Sequence, residues 1–154
     1  MRKEFILSIF SVFLVACASN DKVAVATKEP IQYLNLTSDD EKELVEKYWI
    51  VEERQAPKYP IDAARKGLSG CVDLIIGINS DGRLGSYRVK SSYPEGLFDE
   101  NAIAALTQWK WVATETNSDK TPVLTSIQLD FILYGSTNEK ELESQCGNSN
   151  NLHV

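Results

Sequence analysis

Two stretches of regular alternation constrain this chain most. Val72, Leu74, Ile76 and Ile78 alternate with Cys71, Asp73, Ile75, Gly77 and Asn79. Val123, Thr125, Ile127, Leu129, Phe131 and Leu133 alternate with mostly polar neighbours. A period of two sends every second side chain to one face of an extended strand, so each stretch has an apolar face that must find a core. Asp81-Gly82 follows the first stretch and is a hairpin signal, because Gly tolerates the positive φ of a tight turn. A second strand is predicted over about 84–91, carrying Tyr87 and Val89 and ended by Pro94 and Gly96. The last stretch predicts the longest strand, about 122–134.

Helical spacing lies between and before these strands. Thr37-Ser38-Asp39-Asp40 supplies cap residues and first-turn acids, and Leu44, Val45, Tyr48 and Val51 follow as a short apolar stripe. A helix over about 39–49 is predicted. Pro57 and Pro60 punctuate the chain, and Ile61 to Lys66 reads as a short helix closed by Gly67. Phe98, Ala102, Ala105, Leu106 and Trp109 recur at helical spacing, with Asp99 and Glu100 in the first turn. From Ser136 onward the chain is polar and without period, and is expected to be held near Cys146 rather than folded.

The N-terminus reads as an export signal. Met1-Arg2-Lys3 is basic, and Phe5 to Ala16 is apolar except for Ser8 and Ser11. That run is too short for a membrane-spanning helix, which needs about 20 residues, but fits the apolar core of a secretory signal. It ends Leu14-Val15-Ala16-Cys17, which resembles the lipobox of bacterial lipoproteins. The resemblance implies cleavage before Cys17, a diacylglycerol on its sulfur and an acylated new N-terminus, which together hold a protein on a membrane. Ala18 at the next position implies the outer membrane, with the chain facing the periplasm, if the host is Gram-negative. Ala16-Cys17-Ala18 also fits ordinary A-x-A cleavage, which would release a soluble periplasmic protein. Removing the first 16 of 154 residues leaves 138, and loss of Arg2, Lys3 and Glu4 takes the net charge from −6 to −7. The expected organisation is a signal at 1–16, a membrane tether at 17–36, a domain at 37–135 and a polar tail at 136–154.

With Cys17 lipidated, Cys71 and Cys146 remain in an oxidising compartment. They are expected to form a disulfide, against the alternative of one buried Cys and one exposed thiol. Two Cys without a nearby His make no zinc site, so neither a metal nor another cofactor is expected. The one His is His153. Ser91, Ser92, Asp73, Asp81 and Asp99 therefore lack a His base, and no nucleophile motif surrounds either Ser, so the chain is not expected to be an enzyme. The negative charge argues against nucleic acid as a partner, since phosphate neutralisation needs clustered Lys and Arg. Trp109 is expected in the core. Trp49 and Trp111 stay undecided between core and an exposed sugar-binding surface.

The ordered set Pro57-Lys58-Tyr59-Pro60, Ala63-Ala64, Lys66-Gly67, Gly70-Cys71-Val72, Asp81-Gly82, Ser91-Ser92, Phe98-Asp99-Glu100-Asn101-Ala102, Ala105 and Trp109-Lys110-Trp111 resembles the TonB C-terminal domain family over about residues 55–134. The resemblance implies an α+β fold, with helices on one face of a three-stranded antiparallel sheet in the order second, first, last. The last strand then lies at an edge, and its C-terminal end comes near Cys71, close enough for Cys146 to fold back. In that family the domain binds a short segment of an outer-membrane receptor as an added strand. By analogy Val123, Thr125, Ile127, Leu129 and Phe131 mark the edge strand for a periplasmic or outer-membrane protein or peptide. A homodimer through the same edge, coverage of the edge by the tail, and a structural subunit of an envelope or transport complex without selective capture are the alternatives. The lipid anchor replaces the family's transmembrane helix and long spacer, so a binding module is expected rather than an energy transducer.

Overall fold

A computed structural model describes residues 30–38 and 40–147. Cys17, the signal segment and His153 lie outside the described residues. The elements run β1 (Leu34–Leu36), a 3-10 turn (Lys42–Leu44) leading into α1 (Val45–Tyr48), β2 (Trp49–Glu53), α2 (Ile61–Lys66), β3 (Gly70–Ile78) and β4 (Leu84–Tyr93). They continue through α3 (Asp99–Leu106), β5 (Lys110–Ala113), a second 3-10 turn (Glu115–Asn117), β6 (Val123–Phe131) and α4 (Glu139–Cys146).

The alternating stretches pair as their pattern demands. β3 and β6 run antiparallel with Gly70 opposite Phe131 and Ile78 opposite Val123, in unbroken register. β4 lies on the other side of β3, so the expected antiparallel ladder and strand order are present. Val72, Leu74, Ile76 and Ile78 are fully buried, as are Val123 and Leu129. Against this face α2 inserts Ala63, and α3 inserts Ala102, Ala105 and Leu106. Phe98 stacks on Phe131 at 4.5 Å, and the Tyr59 ring meets both edge-on. Gly67 ends α2 at φ 65. In the hairpin, Gly82 sits at φ 71 and a Cβ there would lie 2.0 Å from the Trp111 carbonyl oxygen, so this turn needs glycine for both conformation and space.

Several elements differ from expectation. The helix expected over 39–49 is only a 3-10 turn and the four residues of α1. Trp49-Ile50-Val51 leaves it as β2 and pairs antiparallel with β5, Trp49 opposite Ala113 and Val51 opposite Trp111. Aromatic and β-branched residues favour that pairing over a helix they would crowd. Trp49 and Trp111 are both buried beneath this small sheet, so neither joins an exposed sugar-binding surface. β4, with ten residues, is longer than β6, with nine. The stretch assigned to the tether contributes β1, which pairs parallel with the start of β6. The main sheet therefore has four strands, ordered β1-β6-β3-β4.

The expected polar tail contains α4. It is an addition on the sheet's other face, since Cys71 alternates with the core-facing Val72 and bonds to Cys146 with Cα atoms 5.8 Å apart. Before α4, the Asn138 side chain accepts from the Ser69 N–H at 3.0 Å and donates to the Ser69 carbonyl at 2.9 Å, like a short piece of added strand. α4 itself buries no residue, so the disulfide is its principal fastening. Cys146→Ser is expected to lower unfolding free energy by about 2–4 kcal/mol, because the bridge closes a long loop in the unfolded chain. Hydrogen exchange should show α4 opening first while residues through Asn138 stay protected, and unchanged protection in α4 would contradict this account.

Candidate docking edge

A strand at the rim of a sheet presents backbone N–H and C=O groups that must be used, covered or blunted. This sheet has two rims, and they differ. The β4 rim is blunted. Its register against β3 slips twice, between Asp73 and Leu74 and between Gly77 and Ile78, leaving Lys90 and Gly85 as extra residues in β4. Such bulges twist an edge away from regular pairing. Arg88 and Lys90 place charge along it, and Lys90 pairs with Asp73 at 3.1 Å.

The β6 rim is regular. It carries no Pro, Lys or Arg between Val123 and Phe131 and no break in register. β1 covers only its start, pairing Leu34 with Val123, Asn35 with Leu124 and Leu36 with Thr125. Among the described residues, no strand pairs with the outer side of Ser126–Phe131. The Leu34 N–H donates to the Pro122 carbonyl at 2.9 Å. In an extended strand alternate residues turn their backbone groups to opposite sides, so the even-numbered residues face outward. The Ser126 hydroxyl donates to the Thr37 carbonyl at 3.5 Å beside the end of β1, so Gln128 and Asp130 offer the open backbone groups.

The residues named from the sequence for this edge divide by side. Val123, Thr125, Leu129 and Phe131 are buried and Ile127 is partly buried against the core. Their side chains hold β6 in place, and their backbone groups serve β3. Val123–Thr125 additionally lie beneath β1. The outward-facing even residues were missed because the apolar alternation marks the core face of a strand and not its outer backbone; the same period of two, counted from the other parity, finds them. Cys71 and Cys146 are brought together, and the bridge fixes α4 beside the far end of the edge. There the Gln128 side chain donates to the Asp130 carboxylate at 2.8 Å and to the Cys146 carbonyl at 3.2 Å.

Three of the polar residues weighed for catalysis, Asp73, Asp81 and Ser92, have local structural partners, Asp73 through its ion pair with Lys90. Asp81 accepts from the Arg83 N–H at 3.0 Å within the turn. Asp99 sits in the first turn of α3, and the Ser92 hydroxyl accepts from the Gly96 N–H at 3.1 Å. Burial pushes the Tyr59 phenol above its ordinary value of 10.0, and its hydroxyl donates to the Leu68 carbonyl at 2.6 Å. It is thus a neutral hydrogen-bond donor at pH 7. Among the described residues no three His, Cys, Asp or Glu side chains group as metal ligands, and no helix is long and apolar enough to cross a membrane.

Residues 55–133 match the model of a family described as Gram-negative bacterial TonB protein C-terminal. The chain is 31% identical over 77 residues to a protein TonB of Xanthomonas campestris pv. campestris, a stretch covering 50% of this chain and 34% of that one. It is 34% identical over 55 residues to protein TonB of Pseudomonas aeruginosa, covering 36% of this chain and 16% of that one. The chain thus spans about a third or less of these relatives' length. The solution structure of the Pseudomonas aeruginosa TonB C-terminal domain superposes with a TM-score of 0.52 at 22% identity, over 66% of this chain and 94% of that one. That likeness is one of fold.

Proposed function

The chain belongs to the C-terminal domain family of the Gram-negative bacterial TonB protein, and from that premise we propose that it is an envelope binding module that takes an extended protein segment as an added strand. The segment docks on the outer side of Ser126–Phe131. Its backbone satisfies the outward groups of Gln128 and Asp130, and its alternate side chains supply selectivity. Cys17 carries lipid and holds the module at the outer membrane facing the periplasm. The partner is a periplasmic or outer-membrane protein, which suits the transport association of the family. The domain does its work by binding and not by catalysis.

One observation carries this reading: the two rims of the sheet are treated unequally. β4 is bulged and carries Arg88 and Lys90, whereas the second half of β6 is straight and lacks a strand partner among the described residues. An edge that served no partner would be expected to carry the same blunting as β4.

Photocrosslinking in intact cells tests it. A photoreactive residue at position 128 is expected to trap one envelope protein reproducibly, while the same residue at position 88 on the β4 rim traps none. Cys17→Ala should release the protein from the membrane fraction and reduce the crosslink at 128. Equal crosslinking from both rims would defeat the edge assignment. A product containing only a second copy of the chain would point instead to a homodimer.

A further inference from the structure

We propose that Leu34–Leu36 is a displaceable occupant of the docking strand: a partner seats first on the open Ser126–Phe131 and then extends along β6 by replacing it. This rests on β6 being the docking strand. β6 offers nine residues and β1 takes three of them, Val123 to Thr125. The open six adjoin the covered three directly, so a partner gains a foothold without first removing anything. Leu36, opposite Thr125, is the residue it meets next.

The way β1 is held suits a replaceable piece. Leu36 is 4% exposed and inserts into the core, whereas Leu34 is 37% exposed. Burial of one leucine thus dominates the contact, corresponding to a factor of about 10–150 in an equilibrium constant. Two polar fastenings flank it. The Tyr33 hydroxyl donates to the Asn79 side-chain carbonyl at 2.6 Å, and the Thr37 carbonyl accepts from the Ser126 hydroxyl at 3.5 Å. The Tyr33 ring crosses the sheet over Gly77, where a Cβ would lie 2.8 Å from the ring. These contacts are made by side chains and the β1 backbone uses the outer side of β6, so β1 can leave while the β3–β6 ladder stays intact. Its replacement would be an extended segment with an aliphatic side chain in the place of Leu36, because that side chain fills space in the core.

The probe is a synthetic peptide of this chain's own residues 31–37, added to the isotope-labelled full chain and followed by NMR at the outward amides of Leu124 and Ser126. In the wild-type chain the tethered strand holds its place at an effective concentration of about millimolar, which the free peptide must overcome. Leu36→Asp is expected to undock β1, because a carboxylate cannot enter the core in place of leucine, and to bind the peptide at least tenfold more tightly than wild type. Tyr33→Ala, which removes a fastening and leaves the core untouched, should fall between the two and carries the test if Leu36→Asp fails to fold. Equal affinity across the three chains, or no binding to either variant, overturns the proposal. If crosslinking at position 128 finds a partner and the peptide fails, displacement alone is overturned. If the peptide binds as expected and position 128 finds none, the docking role fails and β1 is left as an exchangeable strand of this chain.

Discussion

A chain carrying Gln128→Pro is expected to lose partner docking while keeping its fold. The backbone of Gln128 faces outward from β6, by the alternation that places the Leu34 N–H on the Pro122 carbonyl. Its N–H is therefore a donor for an added strand and takes no part in the β3–β6 ladder. Proline removes that donor and puts its ring where the partner's backbone would lie. Edge strands tolerate proline when the missing N–H faces outward, and residue 127 is already extended, as the residue before a proline must be. The loss of the Gln128 side-chain bonds to Asp130 and Cys146 adds a small local cost near α4. Together these predict a stability loss of about 1 kcal/mol and at least a tenfold loss of affinity for the partner trapped from position 128, since one interstrand bond and close backbone approach are both removed. Leu129→Pro is the contrasting variant. Its backbone serves β3, and its side chain is 1% exposed, so it should unfold the domain. The checks are binding of the trapped partner and urea unfolding of both variants. A Gln128→Pro chain that binds normally would move the docking site away from β6.

The sheet was legible in the sequence because one physical signal dominates it. Alternation over β3 and β6 reports a half-buried strand whatever its neighbours do, and Asp81-Gly82 and Gly67 mark backbone conformations that few other residues adopt. The misreadings occurred where two signals compete in few residues. Leu44, Val45, Tyr48 and Val51 fit a helical stripe, yet Trp49-Ile50-Val51 is equally a strand run, and only the distant Trp111-Val112 decides between them. β1 has three residues and cannot show a period; it is a strand because β6 provides a rim. α4 lacks an apolar face, so periodicity could not find it. Asn138 followed by Glu139 and Glu141 was a helix-start signal in the tail, although its side chain turns instead to Ser69. The strand was found and the parity of its outer backbone was not, because side-chain patterns describe what a strand buries and leave its outer backbone unmarked.

Trp109→Ala is expected to cost about 3–5 kcal/mol, a large part of the roughly 5–15 kcal/mol that holds a domain folded. Trp109 is 1% exposed and leads the fully buried side chains in volume. It joins the end of α3 to both strands of the small β2–β5 sheet. Its N–H donates to the Leu106 carbonyl at the end of α3, at 3.1 Å, and its indole N–H donates to the Gln55 carbonyl just after β2, at 2.9 Å. Its ring lies 5.9 Å from that of Trp111 in β5, with the Arg54 guanidinium 5.2 Å from its centre. Truncation opens a large cavity where the helix layer meets the small β2–β5 sheet, and it leaves the Gln55 carbonyl without its donor. Trp109→Phe separates these effects. It refills most of the volume and lacks the indole donor, so its cost should fall to about 1–3 kcal/mol. Urea unfolding at constant slope, with the disulfide intact, measures both. A Trp109→Ala chain within 1 kcal/mol of wild type would show that the small sheet and α3 are held to the domain by contacts other than this side chain.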